Sequence, residues 1–226
     1  MELAGKRVKT TDRAIGQFMK ELGGKSPVPG GGGAAALAGA LGASLSSMVC
    51  ALTIGKKKYE AYETELKTLL SICSAASERF LTLSDADEAA FLPLSKVYGM
   101  PRETEAEQRE REEAMEKALL AAAEAPLSIL ELCAKTIADM RRLTTIGSRL
   151  VISDAGVAAS MLSAGLDSAY LNVLINVGMM RDREEAERIR FRASELRESG
   201  RREASGMFEE VLNLLETEKS DKGERQ

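Results

Sequence analysis

Few kinds of residue in this chain can transfer protons. The 226 residues include no histidine, which excludes histidine-based zinc sites, Ser-His-Asp triads and Cys-His dyads. Acid or base chemistry therefore falls to Asp, Glu, Lys, Tyr or Cys. Cys50, Cys73 and Cys133 are far apart and have apolar neighbours. We expect them to be reduced core thiols, with no catalytic role and no bound metal.

Two carboxylates stand alone in an almost uncharged segment. From Leu150 to Met180 only Asp154 and Asp167 carry a charge, and charges are rarely buried without a partner. Asp154 precedes a run of small residues, a position typical of a helix N-cap, and capping leaves a catalytic role open. Asp85 and Asp87 also precede a predicted helix, and capping accounts for one of the two.

Two asparagines and a lysine cluster are the other polar candidates. Asn172 and Asn176 are four residues apart among apolar neighbours, so they share one helix face and predict either ligand binding or a bridge between helices. Lys56 is the first of three consecutive lysines. Such a cluster is usually solvated at a helix C-terminus, where cations interact favourably with the helix dipole.

A glycine run precedes the most apolar part of the chain. Pro27-Val28-Pro29 leads into Gly30, Gly31, Gly32 and Gly33. Glycines allow close backbone approach, and a helix N-terminus presents unpaired N–H groups. The run therefore predicts either a plain turn into a helix or a loop that binds a ligand. It contains no P-loop Lys-Ser/Thr and no dinucleotide-binding glycine pattern.

The elements that position these residues are predicted to be helices. No charge occurs from Ser26 to Gly55, where a linker, a membrane span or a buried helix must be distinguished. Linkers lack large residues at helical spacing, and Ala, Gly and Ser supply little energy for membrane insertion. Ala34 to Ile54 therefore predicts the central helix of a soluble bundle. Its large residues recur every three or four positions: Leu37, Leu41, Leu45, Met48 and Leu52.

Composition supports an all-α bundle formed by a single domain over residues 1–226. Aromatic residues make up 4%, and tryptophan is absent, whereas Ala, Leu and Glu are abundant. We predict a first helix capped by Thr10 or Thr11, separate helices before and after about residue 84, and a charged C-terminal helix followed by a disordered tail at about 216–226. Pro126 is predicted to start or kink a helix. The net charge of −4 and the interleaved Arg and Glu residues disfavour nucleic-acid binding.

The order and spacing of several motifs over residues 10–215 resemble the cyclodeaminase/cyclohydrolase family of folate one-carbon metabolism. No single motif is as specific as the set. The motifs are Pro29-Gly30-Gly31-Gly32, Leu52-Thr53-Ile54-Gly55-Lys56-Lys57-Lys58-Tyr59, Asp87 before Ala90-Phe91, Pro101, Pro126, Ser153-Asp154 and Leu171-Asn172-Val173-Leu174-Ile175-Asn176.

The resemblance implies a dimeric all-helical fold with a folate site among its helices. It implies formimidoyltetrahydrofolate cyclodeaminase activity, or methenyltetrahydrofolate cyclohydrolase activity as the alternative. We predict that Asp87 and Asp154 transfer protons and that Lys56 neutralises a carboxylate. Asn172, Asn176 and the amides of Gly30 to Gly33 would bind the substrate. No cofactor beyond the folate substrate, no membrane and a cytoplasmic location are expected.

One motif departs from the family pattern. Members often read Gly-Asn-x-Asn ahead of the Ser-Asp pair, whereas this chain has Gly147-Ser148-Arg149-Leu150. Two amides are absent, and polar contacts of this kind contribute a few kcal/mol to transition-state binding. A member that binds folate or another small molecule without turnover is therefore a further alternative.

Overall fold

The computed structural model describes residues 8–223, and side-chain burial for residues 8–217. Within that range the chain is helical and has no strand, which confirms the all-α bundle; its dimeric state stays a prediction. Short 3-10 turns lie at Thr10–Asp12, Lys57–Tyr62 and Arg149–Val151. The helices are α1 (Ile15–Leu22), α2 (Gly31–Thr53), α3 (Glu63–Val97), α4 (Glu105–Met140), α5 (Leu143–Ile146), α6 (Ile152–Met179) and α7 (Arg183–Gly223).

Helix α2 lies between α3 and α6, and α6 packs in turn on α4 and α7. Small residues allow the close approach of these helices. A Cβ at Gly39 would overlap the Phe80 ring on α3, and one at Gly165 on α6 would lie 2.9 Å from the backbone oxygen of Ala35. The prediction of a central helix with small-residue faces is therefore confirmed.

Several large residues of α2 point away from the core, although Val49 is fully buried and Leu45 packs against the core. Leu41 is 57% exposed and Leu52 is 47% exposed, whereas Ala36 and Ala43 are fully buried. The chain thus covers the small-residue side of α2 and leaves the large-residue side uncovered. By length and composition alone, two segments are long and apolar enough to cross a membrane, Gly31–Thr53 and Arg149–Met179, with 50% and 44% of their most apolar windows buried.

The helix boundary predicted near residue 84 is wrong, because α3 continues from Glu63 to Val97. The Ser-Asp-Ala-Asp sequence lies within this helix, so neither aspartate caps its start. Each carboxylate accepts from another element instead: Asp85 from the backbone N–H of Thr10 at 2.7 Å, and Asp87 from that of Gly33. Both aspartates interact with a backbone N–H, as a capping residue does, but from inside α3 to another element and not at the start of their own helix.

Two predicted N-caps also differ from the structure. Helix α1 follows Ala14 rather than Thr10 or Thr11, and no side chain caps it. The Thr10 hydroxyl instead lies 3.2 Å from that of Ser84. Helix α6 follows Val151, which places Asp154 inside the first turn and not at the cap. Its charge still lies where the helix dipole favours an anion.

Helices α4 and α7 complete the bundle. Pro126 lies inside a continuous α4, so it does not start that helix, and the alternative of a kink stays a prediction. Arginines of α7 pair with acids on neighbouring helices, as in the Arg192–Glu131 pair at 2.6 Å. Helix α7 extends to Gly223, beyond the predicted start of the disordered tail, because nothing in its Glu- and Lys-rich end breaks a helix.

Candidate active site

A cavity of about 160 Å³ lies at the N-terminus of α2. It brings together four segments that are distant in sequence: the glycine run with the residues just before it, the last third of α3, the middle of α4 and the second half of α6. Six predicted site residues line it. The full lining is Pro27, Val28, Gly30, Gly31, Gly32, Asp87, Phe91, Ala122, Asn172, Ile175 and Asn176.

Asp87 is positioned by the glycine run. The backbone N–H of Gly33 donates a hydrogen bond to the Asp87 carboxylate. A Cβ at Gly32 would overlap that carboxylate, so only glycine at position 32 lets α3 bring a carboxylate this close to the α2 backbone. The predicted role of the glycines in close approach follows from this geometry, although Gly33 itself does not line the cavity.

The environment of Asp87 favours its protonated form. The pKa of Asp87 is raised from 3.8 to about 6, mainly because burial desolvates the carboxylate; the neighbouring charge of Glu88 contributes to the rise, and the Gly33 N–H opposes it. Glu88 is 3% exposed and is paired with Arg13, whose Nη1 lies 3.1 Å from its Oε1. A carboxyl group with this pKa exchanges protons readily near neutral pH.

The two asparagines lie at the same cavity, on the α6 side. The Asn172 side-chain nitrogen donates to the Ser168 carbonyl at 2.8 Å. That of Asn176 donates to the Ala122 carbonyl on α4 at 2.7 Å and to the Asn172 carbonyl at 2.9 Å. Asn176 therefore bridges α6 to α4, whereas ligand binding by the two amides, which lie at the cavity, stays a prediction.

Lys56 lies at the opposite end of α2. Its Nζ donates to the Ser148 hydroxyl at 2.8 Å, and the Ser148 backbone N–H donates to Thr53 Oγ1 at 2.9 Å. The 23 residues of α2 place roughly 33 Å of helix between this lysine and the glycine run. Ser148, which stands where relatives often have an amide, thus binds Lys56, while Leu150 is 85% exposed.

The two isolated aspartates of α6 have different surroundings. Asp167 pairs with Arg197, whose Nε lies 2.6 Å from its Oδ1, so this charge is balanced by α7. Asp154 is half-buried in the first turn of α6, near the Lys56 end of α2 and away from the cavity. A single copy of the chain therefore does not combine Asp154 or Lys56 with Asp87.

The thiols lie in the core. Cys50, Cys73 and Cys133 are free and buried. Desolvation by burial raises the pKa of Cys50 to about 11 and that of Cys73 to about 12, so both stay protonated near neutral pH. Among residues 8–223, no three His, Cys, Asp or Glu side chains are grouped to bind a metal ion.

Sequence reasoning missed the apolar walls and one anchor of the cavity. Phe91 and Ile175 line it, but apolar residues at helical spacing read as ordinary core positions. Ala122 gave no signal by itself. Pro126, four residues later, did give a signal. A proline inside a helix has no N–H, so the carbonyl four residues earlier, here that of Ala122, lacks its helical hydrogen bond.

An all-α bundle with a half-buried carboxylate and paired amides at a glycine-initiated helix is typical of a small-molecule site. A family profile described as formiminotransferase-cyclodeaminase matches residues 14–195. The chain belongs to this family, as the motifs in its sequence predict.

Individual relatives carry two different activities in their names. A methenyltetrahydrofolate cyclohydrolase of Methylorubrum extorquens is 43% identical over 177 residues, covering 78% of this chain and 85% of that protein. A rat formimidoyltransferase-cyclodeaminase is 33% identical over 216 residues, and the match spans 96% of this chain but 39% of the rat protein. A structure of formiminotetrahydrofolate cyclodeaminase from Thermotoga maritima superposes with a TM-score of 0.76 at 25% identity, covering 92% of this chain and 98% of that one.

Proposed function

We propose that this chain is a methenyltetrahydrofolate cyclohydrolase. Asp87 is the observation that carries the proposal, because it places a carboxyl group with a pKa of about 6 in a cavity beside two amides. The 43% identity to the Methylorubrum enzyme, over most of both chains, favours hydrolysis over deamination.

The proposed reaction adds water to the methenyl carbon between N5 and N10 of the folate. Asp87 as carboxylate takes a proton from the attacking water. Its protonated form then returns that proton to N5 as the C–N5 bond breaks, which gives the 10-formyl product. The other proton of the attacking water is released, and with it the positive charge of the substrate. The balance needs only water and the folate, so no cofactor is part of the proposal.

Cyclodeamination is the second candidate. In that reaction N10 attacks the formimino carbon, the ring closes to the methenyl product and ammonia leaves. The same carboxyl group can accept the N10 proton and donate it to the departing nitrogen. The match along 96% of this chain to the rat cyclodeaminase and the Thermotoga fold support this alternative.

The two activities are separated by assays on one preparation. Loss of near-ultraviolet absorbance of 5,10-methenyltetrahydrofolate reports hydrolysis, and ammonia release from 5-formiminotetrahydrofolate reports deamination. We expect the hydrolysis to be the faster reaction. Ammonia release without methenyl hydrolysis would favour the second candidate, and turnover of neither substrate would contradict both and favour a non-catalytic binding protein.

We also propose that the chain forms a homodimer through what we call the charge-free face. This face is formed by exposed apolar side chains on α2 and the adjacent α6, and apolar patches of such extent are typical of interfaces. A second copy would cover it with the same uncharged surface. The exposed residues are Leu41, Met48 and Leu52 on α2, and Val157, Leu171, Ile175 and Met179 on α6.

A two-fold dimer would also account for the distant candidates. If the α2 helices of two copies cross the interface in opposite directions, the Lys56 and Asp154 end of one copy approaches the Asp87 cavity of the other. We propose that the site combines both copies in this way. Asp87→Asn and Asp154→Asn proteins should therefore restore activity when they are mixed in equal amounts under conditions that exchange subunits. About half of the dimers would then be mixed, each with one intact site of two, so the activity averaged over all dimers should reach up to about a quarter of the wild-type value.

The interface is tested by Leu41→Glu, with Ser71→Glu on the exposed side of α3 as the matched control. Light scattering after size exclusion should show a dimer for the wild type and the control, and a monomer for Leu41→Glu, because two glutamates would be buried against an apolar surface. A monomeric wild type would contradict the dimer. Binding of that monomer to lipid vesicles would identify a membrane as the occupant of the face.

A further inference from the structure

The Asn176 amide has a fixed orientation at the cavity. Its side chain is 7% exposed, and its nitrogen donates to the carbonyl oxygens of Ala122 at 2.7 Å and Asn172 at 2.9 Å. Carbonyl oxygens only accept hydrogen bonds, so the nitrogen and not the oxygen of this amide must face them. Both hydrogens of the nitrogen are thereby used.

The Ala122 carbonyl is available because of Pro126. Both residues lie inside α4, four positions apart. In a regular helix the N–H of residue 126 would donate to the carbonyl of residue 122, but proline has no N–H. The freed oxygen is buried and would be costly without a donor. Asn176 supplies that donor from α6.

The oxygen of the same amide is left for the cavity. Asn176 lines the cavity, and no described residue donates to its Oδ1. An amide oxygen that lines a cavity and accepts from no protein donor is suited to a ligand that brings an N–H group to it. The opposite orientation, which would offer an N–H group to a ligand oxygen, would set Asn176 Oδ1 against two carbonyl oxygens.

We propose that Pro126 is a positioning residue that orients the Asn176 amide, so that Asn176 Oδ1 accepts a hydrogen bond from an N–H group of the bound heterocycle. Given the proposed function, on which this inference rests, that group belongs to the 2-amino and N3–H edge of the pterin ring. Pro126 acts through Ala122 and Asn176 and does not itself line the cavity.

The test replaces Pro126 by alanine. Pro126→Ala supplies an N–H that competes with Asn176 for the Ala122 carbonyl, so the bond that orients the Asn176 amide is weakened and the amide rotates more freely. Pro93→Ala is the matched control, because Pro93 is also inside a helix, α3, but is exposed and bonds to no cavity residue. Both variants should retain the wild-type melting temperature or exceed it, since alanine is the better helix former.

Two measurements report the orientation. The side-chain amide hydrogens of Asn176, followed by nuclear magnetic resonance, should exchange slowly in the wild type and in Pro93→Ala, and at least about tenfold faster in Pro126→Ala. In fluorescence titrations, a pterin should bind the wild type about tenfold more tightly than its 2-desamino analogue, the effect of one hydrogen bond to a buried acceptor. Pro126→Ala should reduce this ratio to about two or less.

Unchanged amide exchange in Pro126→Ala, or an unchanged ratio between the two ligands, would overturn the proposal. Asn176→Leu provides a second variant, in which the ratio should fall for the same reason whether or not Pro126→Ala folds. Failure of the proposed function has a different signature: the wild type would turn over neither folate substrate, while amide exchange and the ligand ratio would still respond to Pro126→Ala as expected.

Discussion

The two ends of α2 differ in whether their charged side chains are desolvated or exposed to solvent. At the Gly31 end, a carboxylate is desolvated against the helix backbone, and its pKa is raised to about 6. At the Thr53 end, Lys56 bonds to the Ser148 hydroxyl at 2.8 Å, and Lys57 and Lys58 are exposed. The first end has a poised proton donor and acceptor in a cavity, whereas the second presents cations on the surface.

We propose that Asp87 at the first end transfers protons and that the lysines at the second end bind the carboxylates of the substrate. A proton-transfer group is effective when its pKa lies near the working pH, and burial of Asp87 achieves that. Exposed cations are better suited to bind the carboxylates of a folate tail. The following substitutions test this division, beginning with the largest expected effect.

Asp87→Asn should lower kcat by about 10²- to 10⁴-fold, because asparagine can accept the Gly33 hydrogen bond but cannot transfer the proton. The measurement is turnover of both folate substrates, with the melting temperature as a check on folding. Asp85→Asn is the matched control on the same helix, since Asp85 bonds to Thr10 and does not line the cavity. Undiminished turnover of both substrates by Asp87→Asn would falsify the assignment.

Gly32→Ala should lower kcat/KM by about 10²-fold, because the new Cβ overlaps the Asp87 carboxylate and a displaced catalytic group costs about that much. Gly178→Ala on α6 is the control, since a Cβ there meets nothing within 4 Å. The control should gain up to about 1 kcal/mol of unfolding free energy. Equal activity of the two variants would show that Asp87 does not depend on this close approach.

The activity should fall about tenfold per pH unit below about pH 6, as protonation removes the Asp87 base. The free energy of unfolding changes with pH in the opposite direction, because the contribution of Asp87 to it decreases as the pH rises. The folded-state pKa exceeds the ordinary value of 3.8, so the folded state binds this proton more tightly. Its contribution is fully present below about pH 4 and is lost as the pH rises through about 6.

Urea unfolding of the wild type and of Asp87→Asn at pH 4 and pH 7 measures this contribution. Relative to the variant, the wild type should lose up to about 3 kcal/mol of unfolding free energy between the two values. If the difference in unfolding free energy between the wild type and Asp87→Asn does not change with pH, the pKa of Asp87 is ordinary, and the Gly31 end of α2 does not hold a group suited to proton transfer near neutral pH.

Lys56→Met should have the smallest effect, a rise in KM of about fivefold with little change in kcat, which corresponds to about 1 kcal/mol for an exposed ionic contact. Lys57→Met, the exposed neighbour, is the control and should leave KM unchanged. A loss of kcat as large as that of Asp87→Asn would show that both ends of α2 take part in the chemical step.

Sequence patterns predicted the helices well and the contacts between helices less well. The spacing of the large residues and the small-residue faces of α2 identified the central helix. The glycine run, Asp87 and the two asparagines account for six of the eleven residues that line the cavity. Asp85 and Asp87 were misplaced at a helix start, because local sequence shows that an aspartate caps well but not which helix it caps. The outward direction of Leu41 and Leu52 was also beyond prediction, since an uncovered apolar stripe has the same spacing as a buried one.

The sequence by itself determined that the chain is helical, that a glycine run precedes its most apolar helix and that groups other than histidine must carry any proton transfer by side chains. These properties are local, because helical spacing repeats every 3.6 residues. Only the tertiary structure decided that Asp87 meets the Gly33 amide, that Asn176 bonds to the carbonyl freed by Pro126 and that Lys56 bonds to Ser148. These contacts join residues many helical turns apart, so they depend on how whole helices pack.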